Sequence, residues 1–125
     1  MKFAILIYND PALLGVIPDG KIDGELRRCF ERADELREQG ILYDSQMLED
    51  AASARSVRVR NGKQTITDGP FAETQELLAG FNLIEADSME EAVKIAAEFP
   101  WVQTGCVEVR EVRDIDAERA RVGGA

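Results

Sequence analysis

Histidine is absent from this 125-residue sequence, and its absence excludes several kinds of chemistry. Without an imidazole there is no serine–histidine or cysteine–histidine nucleophile pair, no histidine-ligated zinc and no imidazole acid–base catalyst. Cysteine is also scarce. Cys29 and Cys106 are far apart in the sequence and form no C-x-x-C motif, so we expect both to be reduced, buried small hydrophobes rather than a redox pair.

Long hydrophobic runs and an excess of positive charge are missing too. No apolar run approaches the roughly 20 residues that span a bilayer, and the run at residues 3–8 lacks the flanks of a signal peptide. The chain has 24 acidic against 15 basic residues and a net charge of −9, so it repels phosphate backbones and anionic lipid. We therefore expect no nucleic-acid partner, no membrane partner and a cytoplasmic location.

The composition that remains is that of one ordinary globular domain. The chain is 45% hydrophobic and 31% charged, and its length falls within the usual range for a single domain. We assign residues 1–112 to an α+β domain. Residues 113–125 are charged and end in Gly-Gly-Ala, which predicts a frayed or partner-docked tail.

Hydrophobic patterning predicts two helices and several strands. The continuously apolar residues 3–8 indicate a central strand covered on both faces. Residues 24–39 show an amphipathic helical pattern, with Asp23 as its N-cap. A loop is expected before it over residues 10–24, with one short turn around Ala12–Gly15. Ser88 and Glu91 form a capping box for a second helix that runs to about Phe99. Further strands are expected over 41–48, 79–86 and 105–112.

This order of elements predicts the fold class. Two helices on one face of a mostly antiparallel sheet give an α+β, ferredoxin-like sandwich. The other face of the sheet is then left uncovered, and its strands carry valine, isoleucine and phenylalanine as well as arginine. A homodimer formed through that face would hide its apolar residues from water.

Asn61-Gly62 marks a β-hairpin, because this dipeptide suits a two-residue turn with positive φ. The resulting register sets three pairs opposite each other: Val59 with Gln64, Val57 with Ile66, and Arg55 with Asp68. Asp68 then continues the face of Ile66, toward the core or a cavity. Two interpretations stay open, a structural Arg55–Asp68 pair at the base of the hairpin and an active acid.

The segment that follows the hairpin has an unusual composition for a connection between strands. Gly69 can adopt positive φ, and Pro70 fixes φ near about −65°. Together they predict a stiff corner that holds Asp68 and Glu73 in place, beside the large aromatic Phe71. Packing alone does not require this combination of carboxylates, a glycine, a proline and a large aromatic residue in one connection.

The run Thr67-Asp68-Gly69-Pro70-Phe71-Ala72-Glu73-Thr74 resembles the YCII-related proteins of the DGPF subgroup. Three further segments share the resemblance: Val57-Arg58-Val59-Arg60, Gly80-Phe81-Asn82-Leu83-Ile84 and Val107-Glu108-Val109-Arg110. The likeness covers residues 2 to 112 and implies a ferredoxin-like domain that pairs into a dimeric α+β barrel, with a cleft near the Asp-Gly-Pro-Phe turn. It implies no established reaction. Members are often encoded beside extracytoplasmic-function sigma factors.

The sequence departs from that pattern in three ways. Gln75 stands where the subgroup commonly has lysine, and Asn82 stands where it commonly has an aromatic residue. The broader family is associated with a catalytic histidine–aspartate pair. Because this chain has no histidine, the resemblance transfers only Asp68, as the acidic member.

The first functional hypothesis is an enzyme, or a degenerate enzyme, that binds a small metabolite in a cleft. Asp68 would act as acid or base, with Glu73 as a second carboxylate that helps to raise its pKa. The expected ligand-binding residues are an anion clamp and aromatic walls: Arg55, Arg110, Tyr8 and Phe71. Tyr8 has a second interpretation, as a residue that caps the core.

The alternative is a non-catalytic sensor or accessory protein in a sigma-factor circuit. In that case Gly69-Pro70 would form an architectural corner, and Phe71 would fill a dimer core. A divalent metal held by Asp68, Glu73 and Glu76 is a third hypothesis, but the loop lacks calcium-loop spacing. We therefore expect a homodimer with a small-molecule ligand, without a metal and without a cofactor.

Overall fold

A computed structural model describes residues 1–70 and 74–123 of the chain. Within these residues the strands and helices follow in the order β1 Lys2–Asn9, α1 Pro11–Gly15, α2 Asp19–Glu38, β2 Leu42–Met47, β3 Arg55–Arg60, β4 Lys63–Asp68, β5 Leu77–Glu85, α3 Met89–Ala97, β6 Gly105–Glu111 and α4 Ile115–Arg121. Short 3-10 turns lie at Ala51–Ser53 and Pro100–Val102.

Strand β1 is central, as its apolar run predicts. It pairs antiparallel with β5 and β6, and β2 pairs antiparallel with β5, so the four-stranded sheet has the order β2-β5-β1-β6. With α2 and α3 between its strands, this is the ferredoxin-like arrangement, and the predicted fold class is confirmed. The hairpin β3–β4 is an insertion that forms a separate two-stranded sheet.

The core lies between the sheet and the helices. Its largest fully buried side chains are Phe3, Phe99, Ile5, Leu36 and Ile84. On the opposite face of β1, the alternate residues Ala4, Leu6 and Tyr8 are only half-buried. The prediction that β1 is covered on both faces is therefore wrong for the single chain, because both helices pack on one side.

Helix α2 begins earlier than predicted, and the expected loop over residues 10–24 is wrong. Asp10 caps α1 by accepting a hydrogen bond from the Ala12 backbone N–H, and α2 starts after Pro18. The reason is that Ile22 continues the apolar stripe by one further turn. That gain outweighs the helix cost of Gly20 and Gly24, about 1 kcal/mol each, so Asp23 lies inside the helix and is not its cap.

Helix α3 begins at the predicted capping box. The Glu91 backbone N–H donates to Ser88 Oγ over 3.1 Å, while Glu91 Oε2 accepts from the Asp87 backbone N–H over 2.9 Å. The second bond therefore reaches one residue further back than the usual box. The helix ends at Ala97, two residues before the predicted end.

The β3–β4 hairpin has the predicted register. Its three expected pairs are all present, and Asn61 and Gly62 have φ of 53° and 75°, as a type I′ turn requires. Its apolar face, however, does not reach the core of its own chain: Val57, Val59 and Ile66 remain 61%, 57% and 56% exposed. This face was expected to point toward the core or a cavity. The core alternative is wrong within one chain, because among the described strands the hairpin pairs with none of the larger sheet.

The segment after β6 contains a helix. Asp114 Oδ1 accepts from the Ala117 backbone N–H over 3.1 Å and caps α4, whereas a frayed or docked tail was predicted. None of the described α4 residues is buried. Local capping and helix propensity therefore account for this element without a buried face.

Candidate functional site

A cavity of about 220 Å³ lies between helix α2 and the sheet. We call it the α2 cavity. Its lining residues come from β1, α1, α2, β2, β5 and the turn at Pro100–Val102, and the apolar ones include Ile7, Leu26, Ala33 and Trp101. None of the described residues that line it carries a charged side chain.

Small residues on facing walls leave this space open. Helix α2 presents Cys29 and Ala33, and strand β5 presents Ala79 and Gly80. Gly80 is also where β5 passes close to β2, since a Cβ atom there would lie 2.5 Å from the Gln46 carbonyl oxygen. A larger residue at position 80 would therefore push the two strands apart.

Asn82 is a buried polar residue in the wall of the α2 cavity. Its side chain is 2% exposed, and its Oδ1 has no hydrogen-bond partner among the described residues. An unpaired buried acceptor costs about 1–3 kcal/mol. By contrast, Asn9 Oδ1, also in the wall, accepts from the Thr104 hydroxyl over 3.2 Å.

Cys29 lines the same cavity as a protonated thiol. Burial raises its pKa above the ordinary value, and a hydrogen bond with the Trp101 side chain opposes that shift in part. The thiol is half-buried, whereas Cys106 is exposed on the sheet face opposite the helices. Both cysteines are free, but the prediction that both are buried is wrong for Cys106 in the single chain.

Two of the predicted ligand-binding residues lie on that opposite face, which we call the open face. The Tyr8 hydroxyl donates to Glu108 Oε1 over 3.2 Å, and Arg110 lies two residues further along β6 on the same side. Burial, followed by the hydrogen bond and charge of Glu108, raises the pKa of Tyr8, while Arg110 acts in the opposite direction. The group forms a small polar cluster beside apolar Leu6.

The other predicted site residues lie on or near the hairpin. Arg55 Nη1 and Asp68 Oδ1 form an ion pair of 3.0 Å, with side chains 72% and 83% exposed. Gly69 has φ of 91°, and its carbonyl oxygen accepts from the Ser56 hydroxyl over 2.9 Å. Pro70 is exposed at the end of this corner. This geometry matches the structural-pair interpretation of Asp68.

Phe71 and Glu73 lie outside the described residues, so the geometry of the proposed carboxylate pair is not part of the structure. In residues 1–70 and 74–123, no three histidine, cysteine, aspartate or glutamate side chains come together as a metal site. No helix in those ranges is both long and apolar enough to cross a membrane.

The sequence interpretation missed the α2 cavity. It noted Asn82 only as a departure from the family pattern, and it did not consider Cys29 as a wall residue. One signal was available: period-two alternation places Asn82 on the same face of β5 as buried Ile84. A carboxamide on the buried face of a central strand indicates that a hydrogen-bonding group is needed inside the core.

The fold and the cavity define a class of small α+β proteins with a ferredoxin-like sheet and a cavity beneath the first long helix. Residues 1–116 match the YCII-related domain. The chain therefore belongs to the YCII-related family.

Similar proteins support this assignment. An uncharacterized protein of Rhizobium meliloti (strain 1021) is 32% identical over 112 residues, which cover 88% of this chain and 90% of that protein. A solved structure of 5-chloro-2-hydroxyhydroquinone dehydrochlorinase (TftG) from Burkholderia phenoliruptrix AC1100, in complex with 2,5-dihydroxybenzoquinone, has a TM-score of 0.53. It is 16% identical, with 90% of this chain and 94% of that chain covered, and it shows the shared dimeric α+β barrel type of fold.

Proposed function

We propose that this YCII-related protein binds a small metabolite in the α2 cavity. The observation that carries the proposal is a mostly apolar, partly open space of about 220 Å³, with a buried carboxamide in its wall whose Oδ1 has no hydrogen-bond partner among the described residues. Ligand sites are typically concave and mostly apolar, with a few polar groups that fix orientation. The complex of the similar TftG structure with a small ring compound supports small-molecule binding by analogy.

The family subgroup and the placement of the site form a finer part of the proposal. The Asp68-Gly69-Pro70-Phe71 run supports membership of the DGPF subgroup. Strand β5, which forms one wall of the α2 cavity, follows that run in the chain. We propose that ligand binding and this segment are linked through β5.

Acid–base chemistry has less support than binding. Asp68 is not among the described residues that line the α2 cavity, and its carboxylate is paired with Arg55 in solvent. A catalytic role for Asp68 and Glu73 would need a second element to bring a substrate to the hairpin.

A homodimer through the open face is the remaining part of the proposal. The open face carries half-buried Leu6, Phe81 and Leu83, together with charges of both signs at Glu108 and Arg110. A face with both signs of charge can be complementary to a second copy of itself. Pairing would cover these apolar side chains and Tyr8.

Thermal unfolding in the presence of small neutral compounds tests the binding proposal. We expect at least one single-ring compound to raise the melting temperature of the wild-type protein, because a ligand that binds only the folded state stabilises it. Ala33→Leu fills the α2 cavity and should abolish the rise. Ala97→Leu, the same change at an exposed helix position, should retain it. Stabilisation that persists in Ala33→Leu would place the site elsewhere.

A further inference from the structure

Asn82 differs from the other carboxamide residues in the wall of the α2 cavity, because their side chains already have hydrogen-bond partners. Asn9 accepts from Thr104, and Gln46 Nε2 donates to Asp44 Oδ1 over 3.0 Å. Asn82 Oδ1 has no hydrogen-bond partner among the described residues, although Asn82 is only 2% exposed. A group that is so costly to leave unpaired is best explained by a partner that arrives with the ligand.

Ser45 adds a second polar atom at this point of the wall. It lies opposite Asn82 in the β2–β5 register, and both residues line the α2 cavity. Their side chains therefore extend from neighbouring strands toward the same side of the sheet. The remaining described wall residues near them, such as Ile7, Cys29 and Ala33, provide apolar surface or a protonated thiol.

We propose that the α2 cavity selects a neutral, mostly apolar molecule that carries a hydroxyl group, with the hydroxyl hydrogen-bonded to the Asn82 carboxamide. This inference rests on the proposed function and adds the chemical class of the ligand. A hydroxyl both donates and accepts, so it matches a carboxamide, which does the same. The rest of the molecule occupies the apolar part of the cavity.

Charged ligands fit this cavity poorly. A carboxylate or an ammonium group would lose its hydration on entry, and no described wall residue carries a compensating charge. An isolated charge is far more costly to bury than a hydroxyl with a hydrogen-bond partner. A purely apolar ligand would fill the space but would leave Asn82 Oδ1 unpaired.

Three probes of similar shape test the class of ligand: p-cresol, p-xylene, in which a methyl group replaces the hydroxyl, and 4-methylbenzoate, which is an anion at neutral pH. Calorimetry on the wild-type protein should show p-cresol binding about ten-fold more tightly than p-xylene, the effect of one hydrogen bond. The anion should not bind measurably. The side-chain amide NMR signals of Asn82 should shift with p-cresol.

Asn82→Leu should bring the two neutral probes to within about two-fold of each other, because the hydrogen-bonding group is lost. Gln64→Leu, the same chemical change at an exposed hairpin position, should keep the ten-fold preference. If Asn82→Leu does not fold, the wild-type protein still shows whether the hydroxyl binds Asn82, through the comparison of the probes and the NMR signals of the Asn82 amide.

The outcomes separate this inference from the function on which it rests. If neither neutral probe binds the wild-type protein and no compound stabilises it, the proposed function fails. If p-cresol and p-xylene bind equally, or if the Asn82 signals do not move, the cavity binds small molecules but the hydroxyl assignment is overturned. Tight binding of 4-methylbenzoate would overturn the neutral class.

Discussion

The thiol of Cys29 is the titratable group that most directly reports on the α2 cavity. Its raised pKa means that the folded state keeps the thiol proton at a pH where the unfolded chain begins to release it. In the unfolded chain, the pKa of a cysteine thiol is about 8.5. The contribution of Cys29 to the free energy of unfolding is therefore fully present below that pH, and it is lost as the pH rises through the pKa of the folded state.

We therefore predict that the free energy of unfolding falls as the pH is raised above about 8.5. Cys29→Ala should make this fall smaller. Urea unfolding at a series of pH values measures both effects, and Cys106→Ala is the matched control because Cys106 is not among the described residues that line the α2 cavity. An equal slope in wild type and Cys29→Ala would contradict the prediction.

The ion pair between Arg55 and Asp68 gives a second prediction at the scale of single residues. Both side chains are highly exposed, and exposed pairs contribute up to about 1 kcal/mol. Asp68→Asn should therefore lower the free energy of unfolding by less than about 1 kcal/mol and leave p-cresol binding unchanged. Chemical unfolding and calorimetry test the two parts. A loss of binding in Asp68→Asn would restore Asp68 as a site residue.

These two residues also show what sequence patterns can and cannot give. The Arg55–Asp68 pairing was predictable, because the Asn61-Gly62 turn sets the register of its hairpin. The exposure of Asp68 was not, since alternation identifies a face but not whether anything packs against it. Asn82 was missed for the opposite reason, because its burial depends on α2 packing over β5.

At the scale of elements, the N-caps of α3 and α4 offer a matched comparison. Ser88 caps α3, which contributes Ala92, Ile95 and Ala96 to the core, whereas Asp114 caps α4, in which no described residue is buried. Loss of a cap weakens global stability only if the helix is part of the cooperative core.

Ser88→Ala should therefore lower the free energy of unfolding by about 1 kcal/mol. Asp114→Ala should change it by less than about 0.5 kcal/mol, as is usual for surface positions. Urea unfolding followed by circular dichroism compares the two variants. Equal losses would mean that α4 unfolds together with the core and has a packing role.

Element boundaries were predictable where a local signal is strong and unpredictable where tertiary packing decides. Ser88 and Pro100 mark the region of α3 closely. The start of α2 was missed because Gly20 and Gly24 suggest a loop, while the position of Ile22 in the lining of the α2 cavity favours a longer helix. Propensity is a weak prior that packing overrides.

At the scale of the whole molecule, two apolar surfaces lack cover from the part of the chain that the structure describes. One is the open face around Leu6, and the other is the hairpin face that contains Val57, Val59 and Ile66. An isolated two-stranded hairpin is marginally stable in water, so both surfaces favour association. An uncovered sheet face was predictable from the sequence, whereas the hairpin face, expected to point toward the core or a cavity, remains exposed in the single chain.

If the open face joins two copies, the wild-type protein should have a solution mass of about twice the 13.9 kDa of one chain. Leu6→Arg adds a charge in the middle of that face, which would be costly to bury in the dimer, so the variant should be monomeric. Leu13→Arg, at an exposed position on α1, should remain dimeric. Light scattering after size-exclusion chromatography measures the masses, and circular dichroism verifies folding. A monomeric wild type would refute the dimer, whereas a dimeric, folded Leu6→Arg variant would move the interface away from the open face.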